Sequence, residues 1–159
     1  MNHDIVIQTF GLTRTYGEAE AKVTALSGVD LAIKAGEFTA IVGPSGSGKT
    51  TLLHLIGGLD RPSAGHIELG GTNIAEMSGT QLSDLRRDQI GFIFQAYNLI
   101  PVLSARENVE YVMLLQGMDP AERKRRTDLM LQLVGLEGLG ERRPAQLSGG
   151  QQQRVAVAR

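Results

Sequence analysis

Eight consecutive residues carry the clearest chemical signal in this sequence. The segment reads Gly43-Pro44-Ser45-Gly46-Ser47-Gly48-Lys49-Thr50 and fits the pattern G-x-x-x-x-G-K-[ST]. Glycines let a backbone approach phosphate groups closely, and a helix that begins near Gly48 points its positive end at the same anion. We predict that Lys49 reaches the β- and γ-phosphates of a nucleotide and that the Thr50 hydroxyl is a ligand of Mg²⁺. The segment therefore predicts a nucleotide-binding loop.

The residues on both sides of this loop have the patterns that would position it. An apolar run at residues 38–42 predicts a strand before the loop, and the run at residues 51–56 predicts a helix after it. Strands followed by a helical block predict an α/β fold. Further strands are predicted at residues 5–7, 29–33, 66–69 and 90–94, and further helices at residues 103–115, 121–134 and from Ser148 onward.

A second glycine motif begins the last predicted helix. Its sequence is Leu147-Ser148-Gly149-Gly150-Gln151. Ser148 can cap the helix through its hydroxyl, and the two glycines leave their N–H groups unobstructed, which suits an anion. Taken alone, the motif is equally compatible with an ordinary helix cap. A nucleotide-binding loop earlier in the same chain favours a second anion site.

These motifs, in this order, resemble the nucleotide-binding subunits of ABC transporters. Residues 147–151 match the signature sequence of that family as they stand, and Gln95 matches its Q-loop glutamine. Tyr16 matches the aromatic residue that stacks on adenine in that family. Residues 94–101 and 104–109 are similar to the lipoprotein-release and macrolide-export subgroup.

The resemblance implies an α/β P-loop NTPase fold of the ABC ATPase type. Such a fold has an N-terminal antiparallel β subdomain, a parallel-sheet core and a helical subdomain. In these terms, residues 1–159 are a single partial ABC ATPase domain. Residues 1–95 would form the β subdomain and the P-loop core, about 96–147 the helical subdomain, and 148–159 the start of the signature helix.

The resemblance also implies what the motif residues do. Tyr16 would offer its ring to the base, Lys49 and Gln95 would be catalytic, and Thr50 and Gln95 would be ligands of Mg²⁺. Ser148 and its glycines would contact the γ-phosphate held by the loop of a second subunit, in a head-to-tail dimer. The residues implied to bind ATP are Tyr16, Gly43, Pro44, Ser45, Gly46, Ser47, Gly48, Lys49, Thr50, Thr51, Ser148, Gly149, Gly150 and Gln151.

The function that the resemblance implies is energy coupling in a transporter. The subunit would bind MgATP and hydrolyse it in the dimer to drive transport, of the export or of the lipoprotein or macrolide extrusion type. Its partners would be transmembrane permease subunits, which would dock on residues 97–109, and a second ATPase subunit, with no nucleic acid. Its location would be cytoplasmic and peripheral, on the inner face of the cell membrane.

The end of the sequence departs from the family pattern. The family continues into a strand that ends in Asp-Glu, where Asp holds Mg²⁺ through water and Glu polarises the attacking water, and a switch histidine follows. This sequence ends at Arg159, before those residues. We therefore expect a truncated copy without its C-terminal core strands. We predict that a protein of these residues alone hydrolyses ATP negligibly and is marginally stable.

Composition limits the other function classes. The 159 residues are 42% hydrophobic and 21% charged, as in one soluble globular domain. The net charge of -1 provides no basic field for nucleic acid, and the absence of cysteine excludes disulfides. No apolar run is long enough to span a bilayer. Residues 1–4 lack the features of a signal peptide, so we expect none.

Three other interpretations stay open on the sequence. The first is a hydrolysis-deficient nucleotide-binding fragment, such as a sensor that pairs with a complete cassette and inhibits it. The second is a soluble ABC ATPase that acts on ribosomes or DNA. The third is a different P-loop enzyme, such as a GTPase or a kinase. The basic run at residues 123–126 lies among acidic residues, which favours a solvated helix face over a nucleic-acid site.

Overall fold

The computed structural model describes residues 5–159, except for the side chain of Glu20. Residues 1–4, on which the expectation about a signal peptide rests, lie outside the described residues. The chain divides into two compact units, Met1–Arg86 and Arg87–Arg159.

A four-stranded antiparallel sheet belongs to the first unit. Its strands are β1 (Ile5–Tyr16), β2 (Val23–Lys34), β3 (Ala64–Leu69) and β4 (Thr72–Asn73). They lie in the order β2-β1-β3-β4. Leu12 of β1 and Ile67 of β3 are almost completely buried, at 0% and 1% exposure. The sheet confirms the predicted N-terminal antiparallel β subdomain, although β1 and β2 are much longer than the predicted strands.

Two helices follow strands of the first unit. Helix α1 (Lys49–Ile56) begins directly after the nucleotide-binding loop and buries Leu52, Leu55 and Ile56. Helix α2 (Gly79–Gln89) buries Leu82 and Leu85. Helix α1 was predicted, but α2 was not, because its apolar residues are few and its sequence is mostly polar.

Three helices form the second unit, namely α3 (Ala105–Leu115), α4 (Pro120–Leu133) and α5 (Gly149–Ala158). They confirm the three helices predicted after Gln95. Their shared core is apolar and tightly buried, and a capped N-terminus begins each helix. The core residues are Ala105, Val109, Leu131, Leu136, Leu147, Val155 and Ala158.

Two predicted strands are not observed. Residues 38–42 and 90–94 pair with no strand in the described part of the chain. A parallel strand is stable only when neighbours satisfy its backbone groups and cover its faces. Here Phe38 and Val42 remain 98% and 87% exposed. Within residues 5–159, the hydrogen-bonded strand pairs of the predicted parallel-sheet core are therefore not observed.

Candidate nucleotide-binding site

The loop at residues 43–48 is organised around Lys49. The Lys49 ammonium donates hydrogen bonds to the carbonyl oxygens of Gly43 at 2.9 Å and Pro44 at 2.6 Å, and to Ser47 Oγ at 3.2 Å. An ammonium has three N–H donors, so all three are engaged. The loop thus folds around a positive charge, which is the electrostatic setting that a polyphosphate requires.

Gly48 is required by the close packing of the loop on strand β2. Its φ of +86° is left-handed, and a Cβ atom at this position would lie 2.5 Å from the Ala25 carbonyl oxygen and 2.8 Å from Leu26 Cδ2. A side chain here would therefore clash with a backbone atom as well as strain the dihedral. The loop enters α1 only because residue 48 is glycine.

The N-terminus of α1 is well suited to an anion. Its N-cap is Gly48, and no side chain of the described residues accepts a hydrogen bond from the cap amides. By contrast, Ser104, Asp119 and Ser148 cap α3, α4 and α5 with their side chains. The first amides of a helix have no partner within the helix, so those of Lys49 and Thr50 are available to phosphate oxygens. This donor set fits the triphosphate of ATP.

Tyr16 lies at the end of β1 in a polar cluster that the sequence did not predict. Its hydroxyl donates to Asp60 Oδ2 at 2.8 Å, and Arg14 Nη2 lies 2.8 Å from Asp60 Oδ1. The Arg14 guanidinium also lies over the tyrosine ring, 4.5 Å from its centroid. The backbone N–H of Arg61 donates to Asp60 Oδ1 at 2.8 Å. Tyr16 is 39% exposed, which leaves surface for a ligand.

Asp60 is held as a carboxylate by this cluster. Burial acts to raise the pKa of Asp60, but the hydrogen bonds from Tyr16 and from the Arg61 N–H, with the charge and hydrogen bond of Arg14, lower that pKa below its usual value. The carboxylate is therefore charged at neutral pH and can hold both Tyr16 and Arg14.

The signature residues form a complete capping box at the start of α5. Ser148 Oγ accepts a hydrogen bond from the Gln151 N–H at 3.3 Å, and Gln151 Oε1 accepts one from the Ser148 N–H at 2.8 Å. Gly149 and Gly150 are exposed in the first turn. The box uses Ser148 Oγ as an acceptor, so its O–H can still donate, as can the first amides of the helix.

Gln95 lies exposed in a turn of the second unit. The backbone that follows it is unusual, because Tyr97 and Asn98 have φ values of 59° and 48°. Arg159 donates to the Asn98 carbonyl at 2.7 Å and to the Tyr97 carbonyl at 3.3 Å. The segment after Gln95 is thereby attached to the end of α5, a contact that no sequence pattern indicated.

The predicted site residues thus fall into groups within each unit. In the first unit, residues 43–51 form one loop and helix start, while Tyr16 belongs to the cluster with Arg14 and Asp60. In the second unit, Ser148 and Gln151 are hydrogen-bonded, and Gln95 lies in its own turn. Arg14 and Asp60 are the neighbours of these residues that sequence reasoning missed.

No helix within residues 5–159 is long and apolar enough to cross a bilayer. In the same range, no group of three or more His, Cys, Asp or Glu side chains is placed to hold a metal ion.

Comparison with known proteins gives a consistent result. The family model described as "ABC transporter" matches residues 26–159. The chain is 53% identical over 157 residues to the macrolide export ATP-binding/permease protein MacB of Marinobacter nauticus, covering 97% of this chain and 24% of that protein. It is 47% identical over 158 residues to the lipoprotein-releasing system ATP-binding protein LolD of Chromohalobacter salexigens, covering 99% of this chain and 67% of that protein. These matches confirm the predicted subgroup.

Solved structures agree with the sequence comparisons. The chain matches the ATP-binding cassette MJ0796 in a dimeric, post-hydrolysis structure bound to ADP and Pi, with a TM-score of 0.89 and 44% identity. The match covers 96% of this chain and 67% of that one. The agreement confirms the predicted ABC ATPase fold class, of which residues 5–159 show the antiparallel sheet and the helices. The chain spans about a quarter of the length of the macrolide export protein and about two thirds of the cassette.

Proposed function

The chain belongs to the ABC transporter family, and on that premise we propose that it is the ATP-binding, energy-coupling part of a transporter. It binds ATP with Mg²⁺ and takes part in hydrolysis within a head-to-tail dimer to drive transport. The relatives named for macrolide export and for lipoprotein release support transport of the extrusion type. The partners are a permease and a second ATPase subunit, at the inner face of the cell membrane.

One observation carries this proposal, namely the uncapped N-terminus of α1 behind a loop folded around Lys49. Lys49 exchanges the carbonyl oxygens of Gly43 and Pro44 for phosphate oxygens when the triphosphate binds. The exchange is favourable because an ammonium interacts more strongly with an anionic oxygen than with a carbonyl. The amides of the loop and of the first helical turn bind the remaining phosphate oxygens.

The other motif residues complete the site. Tyr16 stacks its ring on the base. Thr50 and Gln95 offer neutral oxygens, which suit Mg²⁺ alongside phosphate oxygens, and the ion when bound neutralises charge on the phosphates. Gln95 also orients the attacking water. Ser148, through its O–H and the following amides, binds the γ-phosphate held by the partner copy, so that ATP joins the two subunits.

The test is nucleotide binding by Lys49→Ala. Calorimetric titration of the purified protein with ATP and Mg²⁺ should show affinity at least tenfold weaker than for the unaltered protein, because a charge-assisted contact is lost. The matched control is Lys124→Ala, which removes an exposed lysine of α4 and should bind ATP normally. Failure of the unaltered protein to bind ATP would overturn the proposal, as would equal affinity in both variants.

A further inference from the structure

We propose that Arg14 and Asp60 are positioning residues that hold Tyr16 in place for the base of the nucleotide. We call these three side chains the tyrosine clamp. The inference rests on the proposed function, because it concerns how the same site binds ATP. It assigns a purpose to two residues outside the nucleotide-binding motifs.

The clamp fixes the tyrosine ring at two points. Asp60 Oδ2 accepts a hydrogen bond from the Tyr16 hydroxyl at 2.8 Å. The other carboxylate oxygen, Oδ1, lies 2.8 Å from Arg14 Nη2. Arg14 lies over the ring, 4.5 Å from the centroid, in the geometry of a cation–π contact. With one end anchored and one face next to a guanidinium, the ring offers its other face to a ligand.

The guanidinium of Arg14 is committed to this arrangement. Its side chain is only 22% exposed, and its Nε is buried without a hydrogen-bond partner among the described residues. The carboxylate and the ring are therefore the groups that compensate the buried cation. Asp60→Asn would leave one acceptor oxygen in place of two and no negative charge, so it would weaken the hold on both Arg14 and Tyr16.

The clamp also connects the base-binding residue to the phosphate-binding helix. Asp60 lies just past the C-terminus of α1, and its backbone N–H, like that of Leu59, donates to the His54 carbonyl of that helix, at 3.3 Å and 2.8 Å. The other end of α1 begins at the nucleotide-binding loop. Tyr16 is thus held at a fixed position relative to α1, the helix that binds the phosphates. A pre-positioned ring loses less conformational entropy when a base stacks on it.

The decisive experiment compares ATP with inorganic tripolyphosphate, which has the phosphates but no base. Both are titrated into the unaltered protein and into Asp60→Asn, Tyr16→Phe, the double variant and Tyr16→Ala. We expect Asp60→Asn and Tyr16→Phe each to weaken ATP binding about three- to tenfold and to leave tripolyphosphate binding within about twofold. Tyr16→Ala, which removes the stacking surface, should weaken ATP binding by roughly tenfold or more.

Two features make the test specific. The double variant should bind ATP no more weakly than whichever single variant has the lower affinity, because both single changes act on the same contact between Tyr16 and Asp60. Asp88→Asn is the matched control: it removes another ion-paired aspartate, 2.7 Å from Arg87, and should leave both ligands unaffected.

The outcomes separate the inference from the proposed function. Unchanged ATP binding in Asp60→Asn and Tyr16→Phe would overturn the clamp, and so would equal weakening for ATP and tripolyphosphate, which indicates a general structural defect. If the unaltered protein binds both ligands equally well, the base contributes nothing and the clamp is again overturned, while phosphate binding stands. If it binds neither ligand, the proposed function itself fails.

Discussion

At the scale of single residues, two glycines of the nucleotide-binding loop have the same backbone conformation but different surroundings. Gly46 and Gly48 have φ values of +79° and +86°. A Cβ at Gly46 would meet no described atom within 4 Å, whereas one at Gly48 would lie 2.5 Å from the Ala25 carbonyl oxygen. A side chain would strain the backbone dihedral at both positions, but it would clash with neighbouring atoms only at Gly48.

We therefore expect Gly46→Ala to lower the free energy of unfolding by about 1 kcal/mol and Gly48→Ala by about 3 kcal/mol. The measurement is urea unfolding without nucleotide, followed by circular dichroism. Because Gly46→Ala has the same left-handed strain, it is the internal control. Equal losses of stability in the two variants would show that the contact with Ala25 does not constrain the loop.

At the scale of elements, two serines begin helices in the same way but should differ in function. Ser104 and Ser148 each accept a hydrogen bond from the third amide of their helix, at 3.2 Å and 3.3 Å. Replacing either by alanine should cost about 1 kcal/mol of stability, because a helix cap is lost. Only Ser148 is proposed to contact the nucleotide of a partner subunit.

Ser148→Ala should consequently lose ATP-dependent dimerisation, whereas Ser104→Ala should retain it. The measurement is sedimentation velocity with ATP, in EDTA to prevent turnover, alongside urea unfolding of each variant. If both variants lose stability but both still dimerise, Ser148 acts only as an ordinary helix cap.

The elements that the sequence predicted well are those with local signals. Helix Lys49–Ile56 follows a glycine-rich loop, and helix Gly149–Ala158 follows a serine cap. A few adjacent residues therefore indicate where each helix begins. Helix α2 has such a signal too, since Ser78 and Gln81 exchange backbone and side-chain hydrogen bonds as a Ser-x-x-Gln box. That box could have indicated the helix.

Features that depend on distant residues could not be predicted in this way. The runs at 38–42 and 90–94 have the composition of strands, but a ladder needs a partner strand, and a run of apolar residues does not specify one. Asp60 is hydrogen-bonded to Tyr16, although the two residues are 44 positions apart in the sequence. Asn108 is completely buried, and its side chain is hydrogen-bonded to the backbone of Ile100, Leu103 and Ser104, which no local sequence pattern indicates.

At the scale of the whole molecule, several carboxylates should make stability depend on pH in the same direction. Hydrogen bonds from Arg125 and then Arg126 lower the pKa of Glu122 to about 2, from an ordinary value of 4.5. The hydrogen bond from the Ser104 N–H lowers the pKa of Glu107. In the first unit, the pKa of Asp60 is lowered by the hydrogen bonds from Tyr16 and the Arg61 N–H and by Arg14. Both units therefore contain carboxylates that bind protons less readily when folded.

The sign of the effect follows from proton binding. Between pH 4.5 and about 2, an unfolded Glu122 binds more protons than a folded one, so stability rises with pH across that window. The contribution is complete above pH 4.5 and is lost as the pH falls towards 2. Acidification should lower the urea midpoint of the protein throughout this range.

Glu122→Gln should weaken this dependence, because a glutamine has no proton to gain. We expect the urea midpoint of Glu122→Gln to fall less between pH 5 and pH 2.5 than that of the unaltered protein. Glu137→Gln, a change at another exposed glutamate of the same unit, is the control and should retain the original dependence. High salt should narrow the difference, since the arginine pairs of Glu122 are exposed and screened. The same pH dependence in both variants would mean that the arginines of α4 do not stabilise the folded carboxylate.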